Sequence, residues 1–434
     1  MVRQHFIWSR LDIRLVFLVA FILRFVIGFF VWHPDLWNHM DWGERFFQYG
    51  PSGFFSPEAN VWDYTWPNQP PGTIFIFAFV YKLYKLVFQI FWWLNVHVSL
   101  FPSSLMLFFD DNLYPAMLKL PAILSDLGIG YLIYTILKNL EPRGKGNMQM
   151  ARWGLVMWLA NPVVWYNSAV WGQTDSLISF FCLLAFYLLL HKKFNWSILA
   201  LAISFYIKIS LLIFLPVYVL VLLKLRIPAK KVIIGLVGVL LVIGLITLPF
   251  SGGEPYGWLY WLFTEKILGQ QLQVITANAF NVWAFLTGIH ERPHSLLLGP
   301  LSYQVWGLII FGGVYGWILR RMAKSTRPAS IWWGLALTAF GSFMFLTNMH
   351  ERYLYPLFPY LTILAVRHKK LVWVLVGVSV VSLLNLYNFW WVPKIPFVMA
   401  FLSFGDRLMP RVLGLVSLIF FTKLARLFQA DEMG

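Results

Sequence analysis

Charge is what this sequence has least of. Only 12% of its 434 residues are Asp, Glu, Lys or Arg and 59% are hydrophobic, whereas a soluble domain carries about 25% charge. An ordinary water-soluble enzyme is excluded on that ground. Cysteine is nearly absent too: Cys182 stands alone in an apolar segment, so no internal disulfide can staple the loops. Also missing are a phosphate-cradling glycine loop, a zinc-type His-Glu helix and a nucleophile elbow, which narrows the chemistry further. No soluble domain, internal repeat or low-complexity tract interrupts the chain.

What the chain does have is apolar runs, recurring from Leu11 to Phe421 and long enough to cross a hydrocarbon core of ~30 Å. The net charge of +16 sits in short clusters between these runs, so it orients helices and does not point to nucleic acid. Arg3/Arg10/Arg14, Arg143/Lys145/Arg152, His191/Lys192/Lys193, Lys224/Arg226/Lys230/Lys231, Arg320/Arg321/Lys324/Arg327, Arg367/Lys369/Lys370 and Lys423/Arg426 are expected on the cytoplasmic side. Threading the chain between them predicts spans near 11–32, 114–138, 152–167, 174–190, 195–208, 210–224, 232–249, 301–319, 330–349, 353–366, 371–389 and 409–424. The expected fold is therefore all-α: one polytopic transmembrane bundle over 1–434, about 12 spans, both termini cytoplasmic. The first run, Leu11 to Trp32, is too long for a signal-peptide core and is expected to be retained.

Parity leaves Gly72–Leu94 outside the membrane, as an amphipathic helix on the outer surface with Lys82 and Lys85 on its wet edge. A first outer loop then covers 33–112, with juxtamembrane helices, and a second covers 250–300. Eighty outer residues between otherwise short connections call for a functional explanation.

The first outer loop opens with His33-Pro34-Asp35-Leu36-Trp37-Asn38-His39-Met40-Asp41-Trp42. Solvated loop residues with an interfacial Trp belt is the plain reading; the functional one makes a carboxylate a general base, with Asp35 best placed by the helix before it. Trp62 to Gly72 is dense in aromatics and prolines, a rigid surface suited to sugar rings or simply the start of a helix. Lys119 and Asp126 lie seven residues apart on one helical face, which predicts a structural ion pair within the bundle. Tyr166 to Ser176 turns polar groups, Gln173 and Asp175 among them, back to the outer face, with helix capping by Asp175 as the alternative. Lys208 falls at the outer turn of a hairpin, where it either snorkels or meets a lipid-linked phosphate. The sharpest cluster is His350-Glu351-Arg352, three chargeable groups pinched between apolar spans: a guanidinium fork for a phosphate, a second donor and an acid to hold them, or else a closed salt bridge. Asp110-Asp111 is the one adjacent acid pair outside, so a divalent cation is possible though not indicated.

These residues resemble the GT-C class of membrane glycosyltransferases, especially bacterial and archaeal homologues of the second mannosyltransferase of GPI-anchor assembly. The resemblance covers most of the chain. It rests on Asp35 with Trp42 seven residues on, Gly50-Pro51, Phe54-Phe55, Pro70-Pro71-Gly72, Lys119 to Asp126, Asn161-Pro162, Trp171 to Ser176, Lys208, Asn278 to Trp283 and His350 to Tyr353. Dolichyl-phosphate-glucose-dependent glucosyltransferases of N-glycan assembly look similar in the first-loop acid, the Pro-Pro helix start and the late His-Glu-cation cluster. The resemblance implies that Asp35 is the catalytic base, and that His350, Glu351 and Arg352, with Lys208, hold the donor phosphate. It implies Trp42, Asp41, His39, Gln173, Asp175 and Asn281 as sugar- or acceptor-binding residues. Here Asp63-Tyr64 is separated from Pro70-Pro71 by an insertion containing Asn68-Gln69, which leaves Asp63 without a matched role.

The implied activity is inverting transfer of a hexose, by family analogy mannose, from a polyprenyl-phosphate-sugar donor to a lipid-linked or glycan acceptor on the non-cytoplasmic face. No cofactor is required by it. Its partners are the two substrates and membrane lipids, and its place is a bacterial or archaeal plasma membrane, or the ER membrane in a eukaryote. The rival from another class is a transporter or flippase for a lipid-linked saccharide, using Arg24, Lys119, Asp126 and His350 as a pathway.

Overall fold

Apolar composition becomes helix almost everywhere, because backbone groups in a membrane can be satisfied only within the segment that carries them. The computed structural model describes residues 12–56, 66–140, 145–269 and 271–433. Arg3, Arg10, Arg143 and the Trp62–Thr65 stretch with Asp63 lie outside the described residues.

Helix α1 (Ile13–Phe30) starts on Asp12, whose carboxylate accepts the Arg14 backbone N–H at 2.9 Å. An extended Val31 ends it. The first outer loop folds into α2 (Leu36–Phe54), kinked at Gly50, α3 (Pro71–His97) and α4 (Ser104–Leu118). Then follow α5 (Leu120–Lys138), α6 (Lys145–Leu159), the single turn α7 (Pro162–Trp165), a π-helical turn (Tyr166–Trp171), α8 (Asp175–Leu190) and α9 (Phe194–Ile207). A 3-10 turn (Ile209–Phe214) leads to α10 (Leu215–Lys224) and α11 (Ala229–Ser251). The second outer loop holds α12 (Pro255–Trp261), α13 (Val282–Thr287) and a two-stranded scrap, β1 (Leu297–Leu298) with antiparallel β2 (Leu301–Ser302). The rest is α14 (Tyr303–Lys324), α15 (Ser330–Phe345), a 3-10 turn (Glu351–Leu354), α16 (Leu357–Arg367), α17 (Lys370–Tyr387) and α18 (Pro396–Met433), the last broken across 404–407.

Each span expected from the sequence is helical over most of its described residues. Among the described residues six helices are long and apolar enough to cross a membrane: α1, α3, α5, α11, α17 and α18. The inclusion of α3 differs from the sequence reading, which laid it on the outer surface. Its 27 residues extend about 40 Å. Beyond its first turns it exposes Phe79, Leu86, Ile90, Trp92 and Trp93, with Lys82, Lys85 and Gln89 exposed among them. Lys82 stacks on Phe47 of α2, its ammonium 4.3 Å from the ring centre.

Two apolar cores result. The larger is built from α5–α10 and α15–α18, where α15 buries all sixteen of its residues. The smaller joins α2, α3 and α4 to Phe250, Leu262 and Ile267 around an aromatic cluster of Trp42, Phe54, Phe55, Phe77 and Tyr114. Between them lies the junction of Asp35 with Trp171.

One expected contact is absent. Lys119 does not pair with Asp126; its ammonium donates to the carbonyls of Gly28 (3.0 Å) and Val31 (2.6 Å) and so caps the C-terminus of α1. Asp126 instead pairs with Arg24 at 3.4 Å and accepts the Tyr355 hydroxyl at 2.7 Å, while Arg24 also donates to the Leu159 carbonyl at 2.8 Å. Arg24, Lys119 and Asp126 thus satisfy one another or the backbone, which is the condition for their tolerance in lipid.

Candidate active site

Asp35 is placed by its neighbours on both sides. Lys119 fixes the end of α1, and the chain turns through His33-Pro34 into α2, with the Leu36 and Trp37 N–H groups donating to the carbonyls of His33 and Pro34 at 3.1 and 3.0 Å. The Asp35 N–H donates to His33 Nδ1 at 3.0 Å, so that nitrogen is unprotonated. Burial, reinforced by the charges of Arg352 and Lys119, lowers the His33 pKa to about 2. The neutral ring stacks on Trp171 (4.2 Å between centres) and meets the edge of Trp390 (4.3 Å).

Although Asp35 occupies the cap position of α2, its side chain makes no capping bond. Its Oδ2 accepts instead from Trp171 Nε1 and Gln173 Nε2, each at 3.0 Å. Oδ1 receives no bond among the described residues, and the side chain is 23% exposed. Both donors come from the turn before α8. That turn ends on Gly172 at φ +71°, a left-handed conformation open to glycine. A Cβ there would also stand 2.9 Å from Leu36 and 3.0 Å from Lys119. The close packing of Gly172 on Leu36 thus brings Gln173 onto Asp35.

A second group of charges lies across Trp171. The Arg352 guanidinium sits 5.8 Å from the Trp171 ring centre and 5.6 Å from that of Tyr353. Its Nη1 is 3.4 Å from Glu351 Oε1 and its Nε 3.9 Å from Asp175 Oδ2. The other oxygen of Asp175 holds the Lys208 ammonium at 2.9 Å, and Lys208 lies 5.6 Å over the Tyr353 ring. Burial pushes the Glu351 carboxyl up to about 7, against the pull of Arg352. Burial also holds His350 neutral, helped by the charges of Arg352 and Lys208. The result is two fixed cations sharing one buried counter-ion, beside a carboxyl close to half-protonation at neutral pH.

Distant segments hold this group in place. The Pro70-Pro71-Gly72 motif docks α3 on the end of α9 immediately before Lys208: Thr73 Oγ1 donates to the Ile207 carbonyl at 2.7 Å, and a Cβ on Gly72 would stand 2.6 Å from the Tyr206 carbonyl oxygen. The second outer loop holds the His350 segment through Ala277 N–H to the Met349 carbonyl (3.0 Å) and Asn348 N–H to the Val274 carbonyl (3.1 Å). Asn278, at φ +66°, is clasped by Asn385 and Asn388 of the α17 end.

The residues expected at the site divide accordingly. Asp35, Gln173, Asp175, Lys208, His350, Glu351 and Arg352 come together from four separate stretches of chain. His39 is adjacent: it stacks on Phe77 at 4.3 Å, and burial lowers its pKa to about 3 although the Asp35 charge opposes this. Its Nδ1 and the nearby Asn38 Oδ1 are buried without a hydrogen-bond partner. Three more of the expected residues are engaged by the fold itself. Asn281 caps α13, accepting from the Trp283 and Ala284 N–H groups and donating to the Phe343 carbonyl, so its amide is spent on the fold. Trp42 is 4% exposed within the smaller core and presents no open face to a sugar ring. Asp41 Oδ1 is held by Arg45 one turn on, at 2.7 Å, while its Oδ2 is without a hydrogen-bond partner among the described residues. Asp110-Asp111 gathers no third metal-type ligand among the described residues. The sequence reading missed Trp390 and Thr73. The Phe389-Trp390-Trp391 run after α17 was a signal for the first, being as aromatic as the first outer loop.

The family model for glycosyltransferase family 87 matches residues 98–347, more than half of the chain. No curated protein matches it.

Proposed function

This chain belongs to glycosyltransferase family 87, and from that premise we propose that it transfers a hexose, mannose by resemblance, from a polyprenyl-phosphate donor to a lipid-linked or glycan acceptor with inversion. As a family member it is a membrane glycosyltransferase. The observation that carries the finer reading is the division of the site by Trp171: a carboxylate with one free oxygen on one side, two fixed cations on the other.

Asp35 Oδ1 takes the proton of the acceptor hydroxyl as that oxygen attacks the anomeric carbon. The bond from the anomeric carbon to the phosphate oxygen breaks, and the lipid phosphate leaves with the electron pair. Arg352 and Lys208, positioned before the reaction by Asp175, stabilise the charge growing on that phosphate. Trp171 and Gln173 hold Oδ2 so that Oδ1 faces the acceptor. On this reading the site faces the non-cytoplasmic side, which the positive-inside assignment of the basic clusters to the other side supports.

The test is transfer of label from radiolabelled polyprenyl-phosphate-mannose to a panel of glycolipid acceptors by protein reconstituted in lipid. Label transfer that disappears in Asp35→Asn, with folding intact, supports the donor class and the base together. Transfer from the glucose donor alone changes the sugar, and transfer undiminished in Asp35→Asn would overturn the assignment of the base.

A further inference from the structure

At the end of the bundle opposite Asp35 the chain builds a second, smaller site. Helix α15 starts at this basic end and runs to the His350 segment, and α16 returns from there to Arg367. Between the start of α15, the start of α17 and the last turns of α18 lies a cavity of about 380 Å³, lined by Trp333, His368, Lys369, Lys370, Leu427 and Asp431.

Its donors are unusual in being unused. Trp333 is 1% exposed, yet its indole Nε1 has no hydrogen-bond partner among the described residues; the Nε2 atom of the half-buried His368 is likewise shielded without one. An orphaned buried N–H is expensive and seldom incidental. The two rings lie 5.7 Å apart on the same wall. The wall is completed by the N-terminus of α17, eighteen residues long, with Lys369 and Lys370 opening it, no acid in its first turn and no side-chain cap. The Leu371 and Val372 N–H groups already donate to the His368 and Lys369 carbonyls at 2.8 and 3.2 Å, so what this helix start adds to the wall is chiefly positive potential, which favours anions.

Among the described residues, the anion near these donors is Asp431. Its carboxylate stands 3.7 Å from His368 Nε2 and 3.9 Å from Arg327 Nη1, beyond a hydrogen bond to either, while Arg327 also donates to its backbone carbonyl. The carboxylate lies near the donors without satisfying them.

We infer that this cavity binds a phosphate group, presented by an anionic phospholipid headgroup or by free phosphate, with Trp333 and His368 as donors, the positive end of α17 as attractor and Asp431 as the internal competitor. Lys369 and Lys370 at the rim supply the attraction that brings an anionic headgroup to a membrane surface. The inference is independent of the transfer reaction proposed above.

Full-length protein in neutral detergent is titrated by calorimetry with soluble dihexanoyl-phosphatidylglycerol, with inorganic phosphate, and with dihexanoyl-phosphatidylcholine as the zwitterionic control. Saturable binding of the glycerol lipid and not the choline lipid is expected. Saturation by phosphate as well identifies the bare group as sufficient; saturation by the lipid alone assigns the headgroup. Trp333→Phe, which keeps the ring and removes the N–H, weakens binding about tenfold, as does Lys369→Gln with Lys370→Gln. Asp431→Asn tightens it by a similar factor, a gain that misfolding cannot imitate. Equal binding of both lipids, or affinities unchanged by both Trp333→Phe and Asp431→Asn, would overturn the inference.

Discussion

The pairing of Asp175 with Lys208 makes a prediction that separates stability from catalysis. Both groups are withdrawn from water, their side chains 2% and 11% exposed, and only 2.9 Å apart. Asp175→Asn removes the carboxylate and leaves a buried ammonium unpaired, while Arg352 loses a neighbour at 3.9 Å. Breaking such a pair from one side costs about 3–5 kcal/mol, a large fraction of a typical stability. Lys208→Met alone leaves the carboxylate with Arg352 nearby, so its cost is smaller, about 1–3 kcal/mol. The double variant removes both charges and regains most of the loss, because replacing a buried pair by apolar groups is often close to neutral. Unfolding measured by dodecyl sulfate titration in mixed micelles gives the cycle, and sugar transfer is measured on the same samples. The expected pattern is a rescued fold and an unrescued reaction, since Lys208 is absent in both. A loss under about 1 kcal/mol in Asp175→Asn would refute the argument that this pair is desolvated. Recovery of transfer along with stability in the double variant would remove Lys208 from the phosphate site.

Glu351 gives a pH dependence of defined sign. The folded carboxyl titrates at about 7 and the unfolded one near 4.5; across that window the unfolded chain loses the proton first, so stability falls as pH rises, by up to about 3 kcal/mol, and is flat above it. Glu351→Gln abolishes that slope in melting curves taken from pH 4.5 to 8. Arg352→Lys keeps the charge but loses the planar fork and its stacking on Trp171, so the KM for the lipid-linked donor rises at least tenfold with less change in kcat. Asn281→Ala lowers stability by about 1–2 kcal/mol through the lost cap and leaves donor and acceptor KM unchanged in the folded fraction, whereas a sugar-binding role would move KM. His33→Asn, whose side-chain oxygen can replace Nδ1 as acceptor for the Asp35 N–H, retains more transfer than His33→Leu at equal expression.

Helix and topology class were legible because the apolar runs have no other stable form in lipid. The convergence of Asp35, Lys208 and Arg352 was legible in a weaker way: each is a costly residue next to a span, and costly residues gather where something satisfies them. What the sequence could not give is which partner satisfies which. Lys119 and Asp126 share a helical face in projection, but the chain bends at Lys119-Leu120-Pro121, and the long side chain reaches the unpaired carbonyls of α1. The structural engagements of Asn281 and Trp42 went unread for opposite reasons. An Asn opening a helix is a cap by local chemistry alone, a signal present but outweighed by family analogy. The burial of Trp42 depends on α3 and α4, from more distant parts of the chain.

The Arg24–Asp126 pair also constrains how the chain enters the bilayer. The partners lie 102 residues apart and Tyr355 follows Asp126 by 229. At about 5–20 residues per second, α1 waits roughly 5–20 s for its counter-charge after synthesis. During that interval an unpaired arginine in a lone helix costs about 2.5–3.5 kcal/mol on insertion scales; the strongly apolar remainder of α1, mean hydropathy 2.4, offsets it. Membrane integration of α1 and its final docking are therefore separate events in time. A nascent chain stalled before Asp126 leaves the ribosome is expected to crosslink from α1 to the insertion machinery or to lipid, and one stalled after α5 has entered the membrane to crosslink from α1 to α5.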